Sequence, residues 1–447
     1  MTLLLALPIF YDIFNFCIYK ILPFLFILGF CVIIHEFGHF IFAKLFRIPV
    51  EKFSIGFGPP FFRRKIGETD FRIAYFPLGG YVKMAGEDEG EIIKNGADIS
   101  PQEYLGPGFY EVPIYKRIIV VSGGPLFNVL SAAAVIVFTF SIFGLSVNPY
   151  TKIEVEENSQ AYQAGFLSGD SIIAVDNKKI NNWDEFLTFV SSNQHKEITI
   201  TVKRDDMEIS RVLKVTPDSL GFASLIPPIL GIVKRAGPAY TAGMRKGDRV
   251  LMIDNKEIRT WTAMVDMVRK NRDKPLLFQW QHDGQIKTAL IKPTKIYDPL
   301  AADSIGLISV FMPLEREYLS PLKTLSISVD RTWSMIWLTL KIFYQLVTRK
   351  ISTKALGGPI AIAKLSGESA QWGFEYLLGL LAIIAINLGI INLFPIPALD
   401  GGHIMVSIIE VLRGKRLSRN TRMKIQQVGY AIIFLLIIFV TFNDITR

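Results

Sequence analysis

The stretch Phe30-Cys31-Val32-Ile33-Ile34-His35-Glu36-Phe37-Gly38-His39-Phe40-Ile41-Phe42 sets three ionisable side chains inside an otherwise apolar run. That run extends over residues 21–42, about the 20 residues a helix needs to cross the hydrocarbon core of a bilayer. Ionisable groups at membrane depth are costly and normally mark a site. On a helix, His35 and His39 share one face, so both imidazoles can reach a single metal ion. Glu36 lies beside the first of them, placed to act as general base toward a metal-bound water. The spacing predicts one catalytic zinc ion (Zn2+), which would bring the pKa of that water to about 7.

A catalytic zinc usually takes three protein ligands and keeps one open position. The remaining histidines are His195, His282 and His403. The first two fall in a long polar segment, which leaves a carboxylate near the inner end of another span. Asn392-Leu393-Phe394-Pro395-Ile396-Pro397-Ala398-Leu399-Asp400-Gly401-Gly402 closes the apolar run 374–394 and supplies Asp400, with His403 as the alternative. Pro395 and Pro397 break the helix there, and the Gly401-Gly402 pair is expected to keep it from resuming. Broken backbone at membrane depth is tolerated where it lines a wet cavity, as an active site would.

Further apolar runs at 118–145 and 430–442 bring the count of transmembrane helices to about four. Composition agrees: half of the 447 residues are hydrophobic and 20% are charged. A disordered chain and a disulfide scaffold are excluded, since only Cys17 and Cys31 are present. The net charge of +9 would suggest nucleic acid in a soluble chain; on this background it points to a membrane surface and no nucleic acid. Lys44, Arg47, Lys52, Arg63, Arg64, Lys65, Lys116 and Arg117 separate spans one and two; Arg413, Lys415, Arg416, Arg419, Arg422 and Lys424 separate spans three and four. Both connections are therefore expected on the cytoplasmic side, which puts both termini and residues 148–320 opposite. Residues 1–19 contain no Lys or Arg, which argues against a cleavable signal peptide; the apolar stretch 3–18 receives no role. The segment 325–347 includes Asp330, Arg331 and Lys341 and reads as an interfacial amphipathic helix with Trp333 and Trp337 on its membrane face, or as a soluble helix under the outer domain. The acidic run 87–91 reads as a solvated loop.

The outer segment repeats itself. Ala161-Tyr162-Gln163-Ala164-Gly165 followed by Gly169-Asp170 returns as Ala239-Tyr240-Thr241-Ala242-Gly243 followed by Gly247-Asp248, and Trp183 returns as Trp261. Each copy reads as a short helix, a Gly-Asp turn, a strand, an Asn-containing turn and a helix after the Trp. This order resembles the PDZ domain family, twice in tandem. Such domains offer a groove beside an edge strand where an extended peptide adds on; peptide binding and steric filtering both remain open.

The motif around His35, the segment 392–402, Gly123-Gly124-Pro125-Leu126-Phe127-Asn128 and Phe76-Pro77-Leu78-Gly79-Gly80-Tyr81-Val82-Lys83-Met84 together resemble the site-2 protease family. The fold expected is a multi-pass α-helical membrane protein with a membrane-associated β-hairpin or sheet and two PDZ-like α+β domains. Its divisions would be 1–147 (spans one and two with a cytoplasmic re-entrant β loop), 148–222 and 223–316 (the PDZ-like pair), 317–370 (the interfacial helix region) and 371–447 (spans three and four). The resemblance implies an intramembrane zinc metalloprotease of the Gram-negative inner membrane, active toward the cytoplasmic side and with PDZ domains and termini in the periplasm. Its substrates would be single-pass membrane proteins already trimmed outside the membrane, such as anti-sigma factors, and remnant signal peptides. Zinc would lie on His35, His39 and Asp400, with Glu36 as base. Asn392, Pro395 and Pro397 would meet substrate, and Gly79, Gly80, Tyr81 and Val82 would form an edge strand holding it extended. The plain alternative is an ordinary cytoplasmic hairpin. Asn128 and His403 are weaker candidates. Two rival functions fit fewer residues: a membrane-tethered PDZ adaptor without activity, and a membrane zinc enzyme cutting soluble or lipidated peptides.

Overall fold

The computed structural model describes residues 21–86, 106–216, 220–235, 237–298, 303–351, 353 and 357–446. The apolar stretch 3–18, Cys17 and the acidic run 87–91 lie outside them. The chain forms two compact units, Met1–Ile142 with Ser320–Arg447, and Phe143–Leu319.

In the first unit, α1 (Leu22–Leu45) carries the His-Glu-His motif and buries Ile27, Cys31, Gly38, His39 and Ala43 along one face. Two long strands follow, β1 (Val50–Ile66) and β2 (Thr69–Met84), paired antiparallel. Residues 52–55 of β1 each take two partners; Phe53, for example, pairs with both Val82 and Phe71. Both strands therefore fold over, giving four rungs in the order 80–84, 50–55, 70–73, 62–66. Gly79 makes the bend in β2 at φ 131, a conformation that a side chain would strain. Among the described residues the segment 80–84 is the outermost of the four, beside 50–55. The helix α2 (Ile114–Phe143) comes next and crosses α1 at glycines. A Cβ on Gly38 would overlap the Gly123 carbonyl, and one on Gly123 would overlap that of Gly38, so the two backbones touch.

The second unit opens with β3 (Leu145–Val147), which pairs antiparallel with its closing strand β4 (Glu315–Glu317). Between them the repeat folds twice. The strand Ser171–Val175 lies beside Glu197–Arg204 in a four-stranded sheet, and Arg249–Ile253 beside Leu276–His282 in another of the same order. The Asp176-Asn177 and Asp254-Asn255 turns all hold positive φ, the two-residue hairpin geometry. Asn182 caps the helix Trp183–Ser192 and Thr260 caps Trp261–Lys270. Each copy has its own core, around Phe166 and Phe186 in one and Phe278 and Trp280 in the other. The Gly-Asp carboxylates are buried anchors: Asp170 accepts from Arg204 Nε at 2.6 Å, and Asp248 lies 2.6 Å from His282 Nδ1.

Back in the first unit, α3 (Pro321–Val347) is the helix expected over 325–347. It packs on the third span, α5 (Phe374–Asn392): Thr339 donates to the otherwise costly Asn387 at 2.9 Å, and the Phe343 and Phe394 rings lie 4.9 Å apart. Trp333 and Trp337 stay exposed. A second helix, α4 (Pro359–Trp372), was not foreseen between them. After the proline break the chain departs from expectation. Helix resumes at once as α6 (Asp400–Arg413), with both Gly401 and Gly402 inside it. Their role is room: added Cβ atoms would strike the Phe394 and Ile396 carbonyls, which fold back over this first turn. The last helix, α7 (Arg419–Thr446), is longer than its apolar run, and Asp444 near its end accepts from the N–H groups of Gly358 and Ala361 at the start of α4. Among the described residues four helices are long and apolar enough to cross a membrane: α1, α2, α5 and most of α7.

Candidate metal centre

Two pairs of contacts show that α1 and α5 run the same way. Phe26 meets Phe374 near their starts, with ring centroids 6.4 Å apart, and Asn392 Nδ2 at the end of α5 lies 3.5 Å from His35 Nε2 in the second half of α1. The loop after α5 then turns Asp400 toward the two histidines. Asp400 opens α6, where the helix N-terminus favours a carboxylate.

His35 Nε2 lies 3.2 Å from His39 Nε2 and 3.1 Å from Asp400 Oδ2, and His39 Nε2 lies 3.5 Å from Asp400 Oδ1. Four-coordinate zinc with ligand distances of about 2.0–2.1 Å has donor atoms roughly 3.3 Å apart, so the spacing fits one ion. The Asp400 Oδ2 atom is buried and has no hydrogen-bond partner among the described residues, which leaves it free to ligate a metal. Among the described residues these three form the one His, Cys, Asp and Glu group with metal-holding geometry. His39 Nδ1 lies 2.9 Å from the Val120 carbonyl, which fixes the proton there and leaves Nε2 with its lone pair.

A cavity of about 180 Å³ opens beside the group, lined by Glu36, Gly80, Tyr81, Val82 and His403 among others. The Val82 N–H faces the Glu36 carboxylate. A Cβ on Gly80 would come within 3.2 Å of Glu36 Cγ and 3.1 Å of Val32, so the strand edge passes directly over Glu36. Gly79 lies outside the cavity, its free face covered by the Phe57 ring. Asn128 and Asn392 each reach His35 rather than the cavity wall, at 3.2 and 3.5 Å. Pro395 is exposed, and Pro397 lines a smaller neighbouring cavity with Arg422 and His403.

Two contributors escaped the sequence. The Val120 carbonyl is backbone and carries no residue signal. Gly124 does carry one, in the Gly-Gly-Pro run: a Cβ there would overlap both imidazoles.

Comparison with known proteins matches Peptidase family M50 over residues 23–436. The regulator of sigma-E protease RseP of Salmonella typhimurium is 33% identical over 455 residues, covering 96% of this chain and 99% of the relative. RseP of Escherichia coli is 32% identical with the same coverage. A candidate zinc metalloprotease of Neisseria meningitidis is 32% identical over 452 residues, again covering 96% and 99%. Among solved structures, the PDZ domain of an SdrC-like protein from Listeria monocytogenes aligns with 20% of this chain and 92% of that domain, at 16% identity and a TM-score of 0.17, too low to carry an argument.

Proposed function

Since the chain belongs to peptidase family M50 and is a zinc metalloendopeptidase of the site-2 protease type, we propose that it cuts the transmembrane segments of single-pass membrane proteins within the inner membrane of a Gram-negative bacterium. The observation that carries this is the meeting of His35, His39 and Asp400 where two apolar helices run side by side, with Gly80 of the neighbouring strand directly over Glu36. A transmembrane helix keeps its peptide bonds sealed in its own hydrogen bonds, so it has to be unwound before it can be cut. The segment Gly80 to Val82, which lines the cavity over Glu36, would hold the unwound segment as an added strand.

In this reading His35, His39 and Asp400 hold one zinc ion. When bound, it polarises the scissile carbonyl and makes water acidic enough to lose a proton near neutral pH. Glu36 takes that proton and returns it to the leaving nitrogen. The Asn392 amide donates to the carbonyl oxygen as negative charge develops on it. Pro395 and Pro397 shape the loop that carries Asp400. The sheet of residues 50–84 dips into the membrane, α3 lies at its surface with Trp333 and Trp337 toward lipid, and the cytoplasmic charges set the site toward that side. Residues 148–222 and 223–316 act as a PDZ-like pair on the periplasmic side that screens substrates for prior trimming, either by excluding bulk or by binding a substrate's extracytoplasmic end. Anti-sigma factors and remnant signal peptides are the substrate classes the family likeness favours.

Glu36→Gln tests the reading. Zinc content should stay at the wild-type level while cleavage of a membrane-embedded substrate falls by about 10²–10⁴. Asp400→Ala should lose both. A Gln variant that still cuts at the wild-type rate would strip Glu36 of its role.

A further inference from the structure

Three residues of α2 spaced four apart, 120, 124 and 128, meet the histidine pair. The Val120 carbonyl faces His39 Nδ1, Gly124 leaves room for both rings, and the Asn128 amide lies against His35 Nδ1, placed with Nδ2 at 3.2 Å and with a buried Oδ1 that has no hydrogen-bond partner among the described residues. The pairing runs in opposite order along the two helices, 120 with 39 and 128 with 35, so one stripe of α2 meets the two Nδ1 atoms at its ends and passes beside the two Nε2 atoms at Gly124. Asn128 is 1% exposed. At His39 the partner is a carbonyl, which can only accept. At His35 it is an amide, which can do either, and its two ends occupy nearly the same volume.

Given the zinc-binding reading above, we infer that Asn128 is a positioning residue that presents its carbonyl oxygen to His35 and selects the tautomer that binds metal. A neutral imidazole that gives Nε2 to a metal keeps its proton on Nδ1, and that proton needs a buried acceptor. Turned the other way, the amide would donate to Nδ1 and leave the proton on Nε2, where a cation has to sit. Asn128 therefore does for His35 what the Val120 carbonyl does for His39.

The test is zinc affinity of the full-length protein in detergent, measured by competition with a chelator, together with the absorption spectrum of the cobalt-substituted form. Asn128→Ala should weaken zinc binding about 10- to 100-fold and alter the cobalt spectrum. Asn128→Asp, of the same shape and able only to accept, should bind zinc at least as tightly as wild type and keep the spectrum. Unchanged affinity in the Ala variant would overturn the inference. Equal loss in the Asp and Ala variants would also overturn it, since a donor or packing role predicts that pattern. Wild-type protein that binds no zinc would instead remove the functional reading on which it rests.

Discussion

Ala398 holds φ at +77, a left-handed conformation in the loop that delivers Asp400. For a residue with a Cβ that costs about 1–2 kcal/mol, and the cost is tolerated because Pro397 on one side and the first turn of α6 on the other fix the path. Ala398→Gly should therefore stabilise the first unit by about 1 kcal/mol, read as a later midpoint in denaturant titration, with zinc content unchanged. An earlier midpoint would show that the strain is not felt. Individual residues were legible in the sequence where one helix or one short motif held them: His35, Glu36 and His39 by spacing, and Asp400 by its helix break. Asn128 was visible as a polar residue at membrane depth, yet its partner was not, because that partner lies on another helix.

The crossing of α1 and α2 shows what sequence reading misses at the scale of elements. Gly38 sits inside the metal motif where any residue would satisfy the pattern, but its hydrogen faces the Gly123 carbonyl. Gly38→Ala meets rigid backbone, so the helices have to part, and we expect a loss of about 1–3 kcal/mol in stability together with weaker zinc retention. Stability loss with zinc affinity intact would mean that the histidines do not depend on this crossing. The helix after Asp400 departs from the sequence expectation for a related reason: the two glycines read as breakers, whereas they admit a folded-back loop over a helix that continues. Hairpin turns and caps of the repeats were readable because Asp-Asn and capping residues act locally. The Gly-Asp carboxylates were not, since Arg204 lies far along the chain. Burial alone would raise the Asp170 carboxyl; hydrogen bonds from Arg204 and the Leu167 N–H outweigh it and hold the group below its ordinary value. A carboxyl lowered on folding contributes fully above its unfolded value, and that contribution is lost as pH falls through the folded one. Hydrogen exchange of residues 197–214 in the intact protein should thus show protection that fades below about pH 4. Asp170→Asn should lower protection by about 2 kcal/mol at neutral pH and flatten the acid dependence.

At the scale of the molecule, the chain leaves its membrane unit at β3 and returns at β4, and these two strands are paired: Val147 with Glu315, Ser146 with Arg316, Leu145 with Glu317. Everything between them is one excursion whose ends already lie side by side. Antiparallel ends of this kind can be joined by a two-residue turn, for which Asn-Gly has the right backbone preference. Replacing residues 148–314 with Asn-Gly removes both repeats and their cores while leaving His35, Glu36, His39, Asp400 and the strand edge 80–84 with all the contacts that build them. The shortened protein should bind zinc at the wild-type level and cut an already trimmed membrane substrate at a comparable rate. It should also cut untrimmed substrate, which the full chain should refuse, and a gel assay of the two substrates against both proteins reads the difference. If the shortened protein holds zinc but cuts neither substrate, the repeats contribute to catalysis directly and a screening role is excluded. If it cuts only the trimmed one, discrimination resides in the membrane unit, where the width of the gap beside residues 80–84 would have to set it.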